Sequence, residues 1–484
     1  MRTASTGKII ASPLGQLSRL VRNELMSYGT RARVGAVLIT ALLVVFAVVQ
    51  GFAAAGLGFV AVAAFVVALR RPHLLGPIIA LFLPARETLV VLNAQVAPLE
   101  AVVGGGALGY LGCVVAGRQR VRLSASDWTF LALTALIGLS TVGPVDNSDR
   151  FRELLFWSAL AVTFHAVRTH SEHPQGRRLL LVSLAVATIV EVSYALFEYV
   201  ERWSDRFSAL GGALVYPLPQ GTLGHPNALA QFLVLAGLTV IALALGEHGW
   251  RRLFGLLAGV AGSLALLVTF SRASWIAYTA GASVYLLERR ARLTVLLVSA
   301  ATGTAAGALA VLDKGAIGAR VASPFGATSD LYGFRFELME RAAEIAAEHP
   351  LTGAGHFEET GIYAGREALA THPHNLFLGI AVFFGIPAAL AFAGLVLLAF
   401  RATVKRFRAE TGGERLRDAG LLGVLVAFLV NGILEYPFWN GALTVLIVLI
   451  LAVATGSDPP ATRVNRPAEG RRDLQGATRT PSSS

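Results

Sequence analysis

A histidine, two arginines and a glutamate stand out in a chain that otherwise offers little to a reacting molecule. His374 lies in THPHN, directly before the apolar run from Leu376 to Leu390, so a titratable imidazole is held at the polar end of a hydrophobic helix. Arg272 stands in TFSRASW between two apolar runs, and Arg335 falls in the first turn of an amphipathic stretch. His225 and Asn227 belong to GTLGHPN, a turn-forming cluster ahead of another apolar run, and Glu435 belongs to LEYPFW. Each has a plain alternative. His374 and Asn375 can cap a helix, Arg272 can snorkel to a membrane interface, and Arg335 can be a solvated surface cation. His225 and Asn227 can be a turn and cap, and Glu435 can anchor a tight hairpin beside Tyr436 and Trp439.

Taken together, the residues suggest transfer of a group carried on a phosphate. A guanidinium offers a rigid fork that matches phosphate oxygens, and two of them neutralise a diphosphate leaving group. An imidazole, with a reference pKa of about 6.5, removes an acceptor hydroxyl proton near neutral pH. No outer loop carries Asp-x-Asp, and the chain shows no His/Cys metal spacing, no Gly-x-Ser-x-Gly and no Walker loop. The expectation is therefore chemistry without a metal and without a cofactor.

The elements that must position these residues are membrane spans. Of 484 residues, 55% are hydrophobic and 15% charged, too apolar and too weakly charged for an ordinary soluble protein. Apolar runs of about 20 residues, long enough to cross a bilayer, recur from Val34 almost to Ala454. The reading is an all-α polytopic membrane protein with about fourteen crossings, or twelve if weak segments such as Leu74 to Pro84 do not span. The single Cys113 excludes an internal disulfide framework and is expected inside a helix. A net charge of +11 could suggest nucleic acid. Its arginines, however, fall between spans at Arg70-Arg71, Arg118 to Arg122, Arg251-Arg252, Arg289 to Arg292 and Arg406 to Arg408, where they report orientation.

That pattern places both ends of the chain in the cytoplasm. Residues 1–33 are a basic N-terminus without the apolar core and cleavage site of a signal peptide, and 456–484 read as a disordered tail. Between them lie an N-terminal bundle at 34–200 and a second region at 201–455. The second contains one long extracytoplasmic segment, 313–374, with an amphipathic helix from Leu331 to Glu348. Leu338, Ala342, Ile345 and Ala346 form its apolar face, and Glu337 and Arg341 form an i,i+4 pair. Parity leaves Arg272, the 201–226 loop, the 313–374 segment with His374, and Glu435 on the outer side together.

Four stretches in this order, GTLGHPNALAQFL, TFSRASW, GFRFELMERAAEIAAEHPLTGAGHFEE and HPHNLFLGIAVFFGIPAAL, resemble the O-antigen ligase/polymerase superfamily. That superfamily includes O-antigen ligases, O-antigen polymerases and protein O-oligosaccharyltransferases. The resemblance covers roughly residues 215 to 440. It implies a GT-C-like membrane transferase of the bacterial inner membrane that takes a glycan from undecaprenyl diphosphate on the extracytoplasmic face and joins it, without metal, to a hydroxyl of a lipid, glycan or protein acceptor. By position, Arg272 and Arg335 are implied to hold the diphosphate and His374 to be the base. His225, Asn227, Asn375 and Glu435 are secondary candidates for substrate binding. LEYPFW resembles a segment of the protein-glycosylating branch, with Asn431 and Gly432 standing where that branch often has a histidine, and SRAS stands where SRG is common. A transporter of polyprenyl-linked glycan is the competing reading. It would be expected to show internal repeats and mid-membrane polar residues in both halves.

Overall fold

A computed structural model of the protein describes residues 52–85, 89–91, 94–141, 147–171, 173–201, 218–289, 291–293, 329–363 and 366–456, with isolated positions between 296 and 308. The basic N-terminus, the expected span Val34 to Gln50, most of Leu293 to Leu312, residues 202–217 and 313–328, and the tail from 457 lie outside them. The chain divides into two compact units. The first is Met1–Val60 with Leu89–Val96; its described part is the opening half of α1 (Phe52–Arg70) and a hairpin of β1 (Leu89–Val91) and β2 (Ala94–Val96), with Leu89 opposite Val96. The second is Ala61–Thr88 with Ala97–Ser484, and it contains everything that follows.

In chain order the second unit continues through α2 (Leu75–Leu81), α3 (Pro98–Val115), α4 (Ala125–Ser140), α5 (Asn147–His170) and α6 (Pro174–Glu201). Next come α7 (Pro226–Leu245), α8 (Gly249–Val268), α9 (Arg272–Val284) and α10 (Ser329–Glu348). A hairpin of β3 (Glu359–Tyr363) and β4 (Arg366–Ala370) follows, and the chain closes with α11 (Leu376–Phe384), α12 (Ile386–Ala409), α13 (Gly412–Leu434) and α14 (Gly441–Ala454). Six of these, α3, α6, α7, α8, α12 and α13, are long and apolar enough to cross a membrane, and shorter apolar helices accompany them. The chain is an all-α polytopic membrane protein whose described strands are confined to the two hairpins. The weak segment at Leu74 does not make a full crossing: α2 has 7 residues, about 10 Å of helix, against about 30 Å of hydrocarbon. Cys113 is buried in α3.

Helix α7 is the hub. Every residue of its apolar window is buried, and it packs on α6, α8, α9, α13 and α14. An apolar helix enclosed on all sides belongs at a bundle centre. Beside it, α9 and α13 run antiparallel at very close range, because glycines face each other. A Cβ on Gly281 would come within 2.6 Å of the Gly423 carbonyl oxygen. Ser274 meets Asn431 seven residues nearer the start of α9, which fixes the register. The start of α9 therefore stands level with the end of α13.

Two sequence expectations are corrected here. The run from Asn375 to Phe400 is not one helix, because it breaks at Gly385 (φ 90°), after which Pro387 opens α12. The break is packed by the PLTGAGHF turn: Gly353 (φ 68°) lies so close that a Cβ would meet the Val382 carbonyl oxygen at 2.6 Å. The guanidinium of Arg150, buried in α5, donates to the Ala354 carbonyl oxygen at 3.0 Å and ties the same turn to the bundle. The second correction concerns Arg341. Its hydrogen bonds go to Glu344 (2.8 Å) and Glu359 on β3 (3.0 Å), where the sequence reading had Glu337. The apolar face is as expected, since Leu338, Ala342 and Ala346 are buried with Phe357, Ala381 and Val382, and Ile345 packs against them.

Candidate functional site

Helix α13 ends at Leu434 because Glu435 leaves helical geometry (φ −151°, ψ 158°) and Pro437 follows. The Glu435 side chain is thereby turned into the protein, where it is 1% exposed. A lone carboxylate there would cost several kcal/mol, so it must be partnered. Three distant segments supply the partners. Asn227, at the start of α7, donates from Nδ2 to Oε1 at 3.1 Å. Arg335, in the first turns of α10, donates from Nη2 to the same oxygen at 3.1 Å. His374 Nδ1 lies 2.9 Å from Oε2.

Burial alone would raise the Glu435 carboxyl. The His374 hydrogen bond and the charges of His374 and Arg335 outweigh it and hold the group below its ordinary range. An ionised carboxylate can only accept, so His374 donates from Nδ1, and in the neutral imidazole Nε2 is then the acceptor. Its backbone is in the left-handed region (φ 50°), as is that of Phe270 (φ 55°), two residues before Arg272. These are the described non-glycine residues with such angles, and a backbone of this kind costs about 1–3 kcal/mol each. One is the candidate histidine itself, and the other stands two residues before Arg272.

The remaining candidates fall around this pair. Asn375 is the N-cap of α11, with Oδ1 accepting from the Phe377 and Leu378 amides at 3.1 and 3.0 Å. His225 is the N-cap of α7, its Nδ1 accepting from the Asn227 amide at 3.1 Å, and its ring meets Trp439 edge-on with centroids 5.1 Å apart. The Arg335 side chain remains 26% exposed, against 2% for that of Glu435. Arg272 opens α9, and the α9–α13 register brings it level with the last turn of α13, at the Glu435 end of the bundle. The groups that hold Glu435 among the described residues are Asn227, Arg335 and His374; Arg272 shares their level.

Sequence reasoning missed three contributors. His372 stacks on Trp439 (5.7 Å between centroids, 11° between planes) and meets His374 edge-on at 4.3 Å. Burial, and then the His374 charge, push it down to about 3, so it is neutral at physiological pH. The others are Glu191 and Glu198 of α6. Glu198 Oε2 accepts from the Gln220 and Gly221 amides at 2.7 and 2.8 Å, while Glu191 accepts from the Thr222 amide at 3.0 Å and from the Thr222 hydroxyl. These bonds clamp the GTLGHPN turn that delivers Asn227. Two carboxylates seven residues apart on one face of an apolar helix were a visible signal.

Residues 257–393 match the family model described as O-antigen ligase. The match spans Arg272, Arg335 and His374 and leaves His225, Asn227 and Glu435 outside it. No curated protein matches the chain, and no solved structure does. The stretch from 257 to 393, which holds TFSRASW, the α10 segment and HPHN, is thus similar to the O-antigen ligase family.

Proposed function

We propose that the protein transfers a glycan from a polyprenyl diphosphate to an acceptor hydroxyl on the extracytoplasmic face of the bacterial inner membrane. The observation that carries this reading is the pairing of buried Glu435 with part-buried His374, which engages Nδ1 and leaves Nε2 as the ring nitrogen the carboxylate does not hold, beside a partly exposed Arg335. In the reaction, His374 Nε2 takes the acceptor hydroxyl proton as the oxygen attacks the anomeric carbon. The bond from that carbon to the diphosphate breaks, and the polyprenyl diphosphate leaves with the electron pair. Glu435 orients the imidazole and stabilises it once protonated, as a carboxylate does for other catalytic histidines. Arg272 and Arg335 take up charge developing on the diphosphate, a task guanidinium geometry suits. His225, Asn227 and the 313–374 segment shape the acceptor side.

The test is turnover of lipid-linked glycan by purified protein in detergent, where moving a lipid between leaflets has no meaning. His374→Ala is expected to lose about 10²–10⁴-fold in kcat, the usual share of a general base. Wild-type turnover in the variant would end the reading. Chelator treatment is expected to leave the wild-type rate unchanged, because the arginines occupy the role a divalent cation plays elsewhere.

A further inference from the structure

One turn inward from Glu435, α13 carries a second buried polar residue, Asn431, which is 3% exposed. Its Nδ2 donates to Ser274 Oγ of α9 at 3.4 Å, and Ser271 Oγ donates to the same oxygen at 3.2 Å. Ser271 is the N-cap of α9, yet its hydroxyl makes no cap bond to the helix's own amides. An ordinary N-cap serine accepts from an amide two or three residues on. Here the turn that opens with Arg272 is instead tied across to α13, through two hydroxyls and a side-chain amide. Phe270, just before it, holds a left-handed backbone (φ 55°), a conformation that persists only where the surroundings impose it.

Asn431 also stands level with a polar residue of α7. Gly420 of α13 lies against Ala242 of α7, where an added Cβ would meet the Ala242 Cβ at 2.5 Å. Eleven residues, about three turns, lead outward from that contact to Asn431 on one helix and to Gln231 on the other, so the two amides occupy one level of the α7–α13 interface. Asn227 and Glu435, one turn further out, meet in the same register. Gln231 is 1% exposed. Its Nε2 and the Asn431 Oδ1, a donor and an acceptor, are both buried without a hydrogen-bond partner among the described residues. A leucine at 431 would fill a similar volume and leave no unmatched oxygen there, so the asparagine costs the bundle stability. Packing rules broken in this way concentrate at functional sites.

We propose that Asn431 is a positioning residue for Arg272: through Ser274 and Ser271 it fixes the first turn of α9 and so sets the guanidinium for the diphosphate. This role presupposes the proposed function and adds to it a residue that touches neither donor nor acceptor. A single turn of α13, about 6 Å along the axis, then governs both sides of the reaction. Asn431 acts on the cation, and Glu435 acts on the base.

The experiment measures binding of undecaprenyl diphosphate to the full chain in neutral detergent, beside the Tm of each variant. Asn431→Leu and Ser274→Ala are each expected to weaken binding about tenfold, with the Tm of Asn431→Leu equal to that of wild type or higher. Added to Arg272→Gln, Asn431→Leu should cost less than about twofold more, because the guanidinium it acts through is already gone. In turnover, Asn431→Leu should raise KM for the donor more than it lowers kcat, the reverse of His374→Ala. The role is overturned if Asn431→Leu binds as wild type does, or if its loss multiplies with that of Arg272→Gln. A Tm that falls in step with binding would also overturn it, by marking a purely structural residue. If wild type itself does not bind undecaprenyl diphosphate, the proposed donor is wrong and this role falls with it.

Discussion

The carboxylate of Glu435 holds an imidazole, a guanidinium and an amide at once, so a single-atom change there reaches all three. Glu435→Gln keeps the shape and removes the charge. Its amide can donate to His374 Nδ1 and thereby stabilise the tautomer whose outward nitrogen carries a proton. Turnover is expected to fall on the order of tenfold to hundredfold, the scale for groups that orient a functional histidine, with a smaller change in donor binding. Equal losses in kcat and donor affinity would sink the orienting role. The Glu435 group is held low in the folded state, so the stability it contributes is present above the ordinary carboxylate value and lost as pH falls through the folded value. His372 titrates in a different window. Its folded value of about 3 lies below the ordinary 6.5, so the unfolded chain binds more protons between those values and stability falls as pH drops from about 6.5 toward 3. His372→Phe keeps an aromatic ring against Trp439 and should flatten the slope of Tm against pH in that window. An unchanged slope would mean that His372 is not the group responsible.

At the scale of elements, the site depends on helices that never touch substrate in the proposed reaction. Glu198 and Glu191 hold the turn before α7, and that turn sets where Asn227 stands. Glu198→Ala leaves two amides without an acceptor, at about 1–3 kcal/mol, and should lower kcat more than it changes KM. Glu198→Gln, which keeps an accepting oxygen, should recover part of the rate; equal loss in both variants would point to general unfolding. The apolar runs, the amphipathic α10 and the polar stretch at His374 were legible from periodicity and composition, because burial and membrane insertion impose those patterns directly. The break at Gly385 was not. GIP inside an apolar run is compatible with a kinked single helix, and what decides is the PLTGAGHF turn packing against the break from more than thirty residues upstream. The Arg341 pairing was misread for a similar reason: β3 supplies Glu359 from outside the helix.

For the whole molecule, the antiparallel run of α12 and α13 sets the Glu435 end and the Arg401–Arg408 end at opposite extremes of the bundle. The chain's one cysteine, Cys113, is buried, so a cysteine placed elsewhere can be labelled without background. Glu358→Cys, exposed in the 313–374 segment, is expected to react with an impermeant maleimide from outside intact cells, and the exposed Thr411→Cys to react only after lysis. Labelling of both from one side would overturn the proposed placement. The sidedness itself is an expectation from the parity of the arginine clusters; which residues would share one carboxylate was not readable from the chain, since Asn227, Arg335, His374 and Glu435 are separated by up to 208 positions. That separation has a bearing on biogenesis. The ribosome releases Asn227, Arg335 and His374 before the residue that joins them, so until Glu435 is in place their donors surround a gap. In the proposed reaction the protein is therefore idle until then, and the two helices that flank Glu435, α13 and α14, are the ones that arm it.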